Sequence, residues 1–185
     1  MLKKRDFSDC HPLFDLMQHP DVFPFVRHKV HSYEEYVFIT KQTMEAEEAG
    51  NLISRTITDE WGSPIGTISL FDIDNNAGFL GTWLGKPYHG KGYNIIAKEA
   101  FFKELFFELG IETVFLRIRK VNHRSIRAAE KLPYAIKSNE SRQQIYAEMN
   151  SEGEIFDLYE IPKDLFTLYI MRKDNEDDTQ ELMEA

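Results

Sequence analysis

One cysteine, Cys10, stands in the whole 185-residue chain. That excludes an intrachain disulfide and the stapled frameworks of small secreted domains. No stretch approaches the roughly 20 consecutive apolar residues that cross a bilayer. The N-terminus also lacks the apolar core of a secretory signal. A cytoplasmic protein without membrane attachment is therefore expected. A basic excess is missing too. The formal net charge is −9, which argues against nucleic acid as the main partner and mildly favours a basic or amine-bearing one. More than half of that charge falls after Asn175, in Glu176, Asp177, Asp178, Glu181 and Glu184, with no base among them. Residues 174–185 are expected to form an acidic, disordered tail. The remaining residues, 1–173, show neither repeats nor an interdomain linker and suit one domain with a sizeable core. His11, His19, His28, His31 and His123 share no metal-ligand spacing with Cys10, so no metal is expected.

Aromatic residues, in contrast, are abundant, with 14 Phe and 8 Tyr. Leu2 to Arg5 suits a short opening strand. Ser8 and Asp9 look like a cap before a helix bearing Leu13, Phe14, Leu16 and Met17, which His19-Pro20 ends. Ser32-Tyr33-Glu34-Glu35 fits a capping box for a second helix, closed by Gly50 after a solvated acidic run, Glu45 to Glu48. A meander follows: Leu52–Thr58, Ile65–Phe71 and Ala77–Leu84, with short turns that require antiparallel neighbours. Asp72 and Asp74 are expected to form a turn.

The third of these strands leads into Gly85-Lys86-Pro87-Tyr88-His89-Gly90-Lys91-Gly92-Tyr93-Asn94. An amphipathic helix is expected from Tyr93 to Leu109, with Ile95, Ile96, Phe101, Phe102, Leu105, Phe106, Phe107 and Leu109 apolar and Lys98 on the polar face. Strand, glycine turn and helix N-terminus make an anion cradle, because successive amides point into the turn and the helix dipole adds positive charge. Glycine at 90 and 92 is expected to keep side chains out of a phosphate's way. Thr113–Arg119 is the clearest strand, and a strand–helix–strand unit places it parallel to the strand before the loop. A short helix capped by Asn122 then runs to Leu132, where Pro133 stops it. Beyond it, Gln144-Ile145-Tyr146 is strand-like, Asn150 to Gly153 is a loop, and Leu165–Met171 is expected as a closing strand. Its edge and the aromatic surface suggest a possible homodimer.

Gly81-Thr82-Trp83-Leu84-Gly85-Lys86-Pro87-Tyr88-His89-Gly90-Lys91-Gly92-Tyr93 and the later Asn122-x-x-Ser125 occur in order, separated by a strand. Together they resemble the GNAT superfamily of acyl-CoA-dependent N-acetyltransferases, and within it the RimJ/RimL-type branch. Asp21-Val22 and Phe25-Val26-Arg27 resemble that branch's first interhelical connector. The resemblance spans roughly residues 5–137. It implies an α+β fold: one domain with a mixed, mostly antiparallel sheet of six to seven strands, flanked by helices and splayed between the fourth and fifth strands. It further implies acetyl-CoA as co-substrate and an amine as acceptor. The amides from His89, Gly90, Lys91, Gly92 and Tyr93 to Asn94 would hold the pyrophosphate. Thr82, Trp83 and Leu84 would pair their backbone with pantetheine. Asn122 would orient the cofactor arm, and Ser125 would contact it near the adenosine or pyrophosphate end.

The catalytic groups depart from that pattern. The position of the common tyrosine acid falls on Ala129, and the branch's frequent glutamate base falls on Phe79. His89 and Tyr134 are the remaining candidates, and acid and base are otherwise unassigned. Three functions follow in descending order. The first is an N-acetyltransferase in which the amine of a protein N-terminus, or of a small molecule such as a polyamine or antibiotic, attacks the thioester directly. The second is a non-catalytic acyl-CoA-binding module, and the third a nucleotide- or phosphate-binding protein. The last lacks the Ser/Thr after Gly-Lys that a P-loop requires.

Overall fold

A computed structural model describes the backbone of residues 1–153 and 155–184, and the side chains of 1–153 and 155–175. The chain forms two compact units, Met1–Gly110 and Ile111–Ala185. Seven strands lie among the described residues, four in the first unit and three in the second.

In the first unit β1 (Leu2–Lys4), β2 (Ile53–Thr58), β3 (Pro64–Asp74) and β4 (Ala77–Leu84) pair antiparallel in that order. Asn75 and Asn76 turn the β3–β4 hairpin with φ of 48° and 59°, a left-handed conformation that asparagine tolerates. Asp72 also has positive φ, 53°, where the β3–β4 register shifts between Phe71 and Asp74. The strand thus continues through a bulge where the sequence suggested it would end.

Helices α1 (Cys10–Met17) and α2 (Tyr33–Glu48) pack on each other, and α1 packs on β3. Their core contains Cys10, Leu13, Met17, Val22, Val26, Val30 and Tyr36, with Trp83 of β4 against it. Two caps differ from expectation. Asp9 holds the N-cap position of α1 as expected but makes no side-chain cap bond; the Asp6 carboxylate instead accepts from the Ser8 amide and starts a short 3₁₀ turn, Phe7–Asp9, ahead of α1. At α2 the Ser32 hydroxyl accepts from the Glu35 amide as a capping box requires. The Glu35 carboxylate, however, takes the His31 amide, one residue earlier than the reciprocal bond predicts.

Helix α3 (Tyr93–Lys103) continues into a single π-helical stretch, Glu104–Glu108, whose signature is the Leu109 amide donating to the Glu104 carbonyl at 3.1 Å. Phe101, Phe102, Leu105 and Phe106 are buried as expected, but Ile95, Ile96, Phe107 and Leu109 are exposed. Lys98, assigned to the polar face, is only partly exposed. The extra residue of the π stretch rotates its last positions off the 3.6-residue rhythm, which carries Phe107 and Leu109 outward. Glu47 is likewise not simply solvated: with Glu104 it encloses the guanidinium of Arg55.

The second unit is built on β7 (Phe156–Pro162), antiparallel to both β5 (Thr113–Arg119) and β6 (Ile136–Lys137). Helix α4 (His123–Glu130) is capped by the Asn122 side chain, which accepts from the Ser125 amide at 3.2 Å. Two expected strands are helices. Gln144–Tyr146 lies in α5 (Gln143–Met149), where Gln144 bonds Glu148 one turn on at 3.0 Å. Leu165–Met171 lies in α6 (Lys163–Glu184), so no closing strand presents a dimerising edge there. Side chains of most of the acidic segment expected as a tail lie outside the described residues.

Candidate active site

The sequence Gly90-Lys91-Gly92 folds as it does because two residues require φ of 75° and 86°. Such angles cost an L-residue roughly 1–2 kcal/mol and cost glycine little. A Cβ built at either position would meet nothing within 4 Å. The positive φ angles thus give both glycines a conformational reason, beside the expected one of leaving room for a phosphate.

Those amides are available. The His89 amide turns back to the Lys86 carbonyl, and Ile95 and Ile96 donate to the Gly92 carbonyl. Between them the N–H groups of Gly90, Lys91, Gly92, Tyr93 and Asn94 have no backbone acceptor among the described residues. Five unmatched donors at the N-terminus of an eleven-residue helix form a positive concavity of the kind that binds phosphate. Lys91 is exposed beside it, its ammonium 5.9 Å from the Tyr88 ring centre. Tyr93 packs edge-on against Tyr88 and donates its hydroxyl to Glu60 at 2.5 Å. That bond to a carboxylate, ahead of burial, pushes the phenol up to about 12.

β4 supplies a second unmatched group. The Thr82 hydroxyl is buried without a hydrogen-bond partner, as are Thr56 Oγ1, Arg5 Nε and Asp9 Oδ2 elsewhere in this unit. A buried polar group left this way costs about 1–3 kcal/mol, a cost that a polar ligand beside Thr82 would remove. Together with the open amides, this makes the strand and loop a fit for the amide-rich, doubly phosphorylated arm of coenzyme A. Leu84 is buried, and its carbonyl is taken by His89 Nε2 at 2.8 Å, which fixes that imidazole against the strand end.

The connector between α1 and α2 is pinned at both ends. Lys86 binds Asp21, and this hydrogen bond, then the ammonium charge itself, holds the Asp21 carboxyl below its usual range. Six residues later Arg27 takes both oxygens of Asp72, at 3.2 and 3.1 Å, while lying 4.2 Å from the centre of the Phe71 ring. Sequence reading missed these long-range clamps. Its only signal was the likeness of Asp21-Val22 and Phe25-Val26-Arg27 to a known connector. Burial also pushes the Lys98 ammonium below its usual value.

In the second unit Asn122 and Ser125 are both partly buried at the start of α4. Ala129 is buried. Tyr134 is 3% exposed, its ring 5.1 Å from Phe166 and 4.9 Å from Tyr169. It is placed as a packing residue of that unit. Among the described residues no cluster suits a metal ion, and no helix is long and apolar enough to cross a membrane.

Solved structures share this architecture at low sequence identity. An apo nucleotide-linked sugar GNAT matches with TM-score 0.73 and 17% identity, over 94% of this chain and 92% of its own. Ribosomal-protein-S5-alanine acetyltransferase from Vibrio fischeri matches with TM-score 0.71 and 19% identity, over 88% and 92%. Spermidine N-acetyltransferase from Vibrio cholerae, in complex with CoA and spermine, matches with TM-score 0.71 and 13% identity, over 90% and 97%. No curated protein matches the sequence. The model of the acetyltransferase (GNAT) domain family matches residues 1–134. The chain therefore belongs to the GNAT acetyltransferase family, with its α+β fold and its use of acetyl-CoA as donor.

Proposed function

We propose that this N-acetyltransferase moves an acetyl group from acetyl-CoA to a primary amine by direct attack of the amine on the thioester. The observation that carries the reading is the run of five unmatched amides at the N-terminus of α3, next to a strand with an unmatched threonine hydroxyl. In this reading the amides of Gly90 to Asn94 hold the pyrophosphate, with Lys91 adding charge. His89 braces the loop, and the backbone of Thr82, Trp83 and Leu84 meets the pantetheine amides. Asn122 and Ser125 are assigned to the cofactor arm by the resemblance of their motif alone. Transfer then requires a neutral amine, a positioned thioester and a route for one proton.

The motif from Gly81 to Tyr93 supports the RimJ/RimL-type branch, and a structural neighbour named for ribosomal protein S5 alanine is consistent with it. The acceptor is then a protein N-terminus or a small amine such as a polyamine. A second reading, an acyl-CoA sensor without turnover, is favoured by one observation: Phe79 and Ala129 stand where proton-transfer groups are common.

Two measurements test these readings. Acetyl-CoA at about a hundred times its Kd stabilises a protein that binds it only when folded by ~2.7 kcal/mol, which raises Tm by roughly 5–10 °C for a chain of this size. Thiol release is then followed with spermidine and with a peptide bearing a free N-terminus. A flat melting curve ends both readings, whereas binding without thiol release leaves the sensor.

A further inference from the structure

We propose that His28, on the connector between α1 and α2, is the base that takes the proton from the attacking amine. The inference rests on the acetyltransferase reading and names a residue for the step it leaves open.

Phe71 of β3 stands directly opposite Phe79 of β4, so the two side chains share one face of the sheet. Gly81, two residues on, shares that face as well. A Cβ at Gly81 would lie 2.6 Å from the Phe71 ring. The ring of Phe71 therefore covers the glycine of β4 and marks the middle of the strand whose far end runs into the amide cradle. On this face β4 offers no proton acceptor, because Phe79, Gly81 and Trp83 have none.

The acceptor comes from the connector. The His28 imidazole meets Phe71 edge to face, with centroids 6.4 Å apart and planes at 90°. It is exposed, and neither ring nitrogen has a hydrogen-bond partner among the described residues. The arrangement is braced: Arg27 lies on the face of the same ring and holds both oxygens of Asp72 on β3. Asp72 accepts that clamp at positive φ, so the bulge at the end of β3 presents its carboxylate to the connector. The alternatives are engaged elsewhere. His89 Nε2 is bound to the Leu84 carbonyl, and Tyr134 is packed in the other unit.

The charge state suits the role. Burial first, then the neighbouring Arg27 cation, hold His28 below the ordinary imidazole value of 6.5. The charge that acts on it is that of Arg27, which is itself paired with Asp72 on β3. His28 is therefore neutral at pH 7, with a lone pair to offer. In the reaction the amine nitrogen forms a bond to the thioester carbon, and its excess proton passes to the His28 imidazole. The C–S bond breaks, the sulfur leaves as thiolate and takes a proton from water, and the imidazolium returns its proton to water. Amide and free thiol are the products, with no net change in the enzyme.

The experiment compares the full chain with its His28→Gln and His28→Ala variants. Acetyl-CoA should raise Tm equally in all three, since His28 is not part of the cradle. Thiol release is measured with spermidine, with a free-N-terminus peptide, and with water alone as the slow acceptor. The expected result is a fall in kcat/KM of about 10²- to 10⁴-fold in His28→Gln. The acidic limb of the wild-type pH profile, centred below 6.5, should be lost, and added imidazole should partly rescue His28→Ala. Unchanged turnover with an unchanged acidic limb overturns the role of His28 while leaving the acetyltransferase reading intact. Binding without thiol release to any acceptor, water included, overturns the base and the catalytic reading together. Absence of binding ends that reading at its first step.

Discussion

The two ends of α3 are built from opposite rules. At the far end, Glu104 begins the π stretch and joins Glu47 in enclosing Arg55, whose side chain is 8% exposed. Arg55 Nε also donates to both Glu104 oxygens at 2.9 and 3.1 Å, and the Ser54 carbonyl takes another bond. Every strong group there is answered from within the protein. At the near end five amides, two positive-φ glycines and an exposed lysine are left for something else to answer. The same helix is thus fastened at one end and open at the other. This asymmetry predicts that damage at the fastened end appears as lost stability, and damage at the open end as lost affinity.

The largest effect is expected from Arg55→Ala. Removing one partner of a buried ion pair strands the others, which typically costs 3–5 kcal/mol. Here Glu47 and Glu104 keep 21% and 22% of their side-chain surface in water. The loss should therefore lie near the lower end, about 3 kcal/mol, or roughly 6–12 °C in Tm. Affinity for acetyl-CoA, measured well below the new Tm, should stay within about twofold, on the order of the scatter between independent sites. A parallel loss of affinity would show that the two ends are not separable.

This asymmetry explains what the sequence made legible. The open end is local: Gly90 and Gly92 sit two apart, the helix begins at the next residue, and a strand precedes them, so spacing together with its flanks pointed to the turn. The fastened end depends on Glu47, Arg55 and Glu104, which are far apart in sequence, and no periodicity brings them together. The same limit applies to Arg27–Asp72 and to His28. The β-meander was legible because its turns are short and its register follows from them. Leu165–Met171 was not, since a continuous apolar run suits either a strand or a helix. Burial settles it: Phe166 is fully buried and Ile170 is 9% exposed, whereas Leu168 is 53% and Met171 58% exposed. A strand would place 166, 168 and 170 on one face. Thr167 also bonds the Lys163 carbonyl at 2.8 Å, a helical spacing.

At the open end, Gly92→Ala should be the more informative substitution. Its Cβ has room, so the cost is the positive φ alone, about 1–2 kcal/mol for an L-residue. Relief of that strain turns the amides at the start of α3 away from the phosphate position. Affinity for acetyl-CoA should fall on the order of tenfold, equivalent to about 1.4 kcal/mol, as read by calorimetry. Unchanged affinity would mean that the unmatched amides are not the anion site.

The smallest effect distinguishes two tyrosines that reach the same pKa by different routes. Tyr93, at the open end, is pushed up to about 12 chiefly by its hydrogen bond to Glu60. Tyr159, in the second unit, is pushed up to about 12 chiefly by burial, with Glu130 adding to it. For both, the folded value exceeds the ordinary phenol value of 10. The native state therefore keeps a proton that the unfolded chain releases, so each contribution is whole below pH 10 and is lost as pH rises through about 12. Tyr93 is half-buried, but its partner Glu60 is exposed, so salt screens that carboxylate, while burial is insensitive to salt. In Tyr93→Phe, Tm at pH 7 should not move measurably, and the salt-sensitive phenolate step should vanish from the alkaline absorbance titration. The step that remains near 12 should shift less with salt, because Tyr159 is 2% exposed and its elevation begins with desolvation, ahead of the Glu130 and Asp157 charges. Salt sensitivity surviving undiminished in Tyr93→Phe would place the open chemistry in the second unit as well, and the contrast between an answered interior and an unanswered loop would no longer hold.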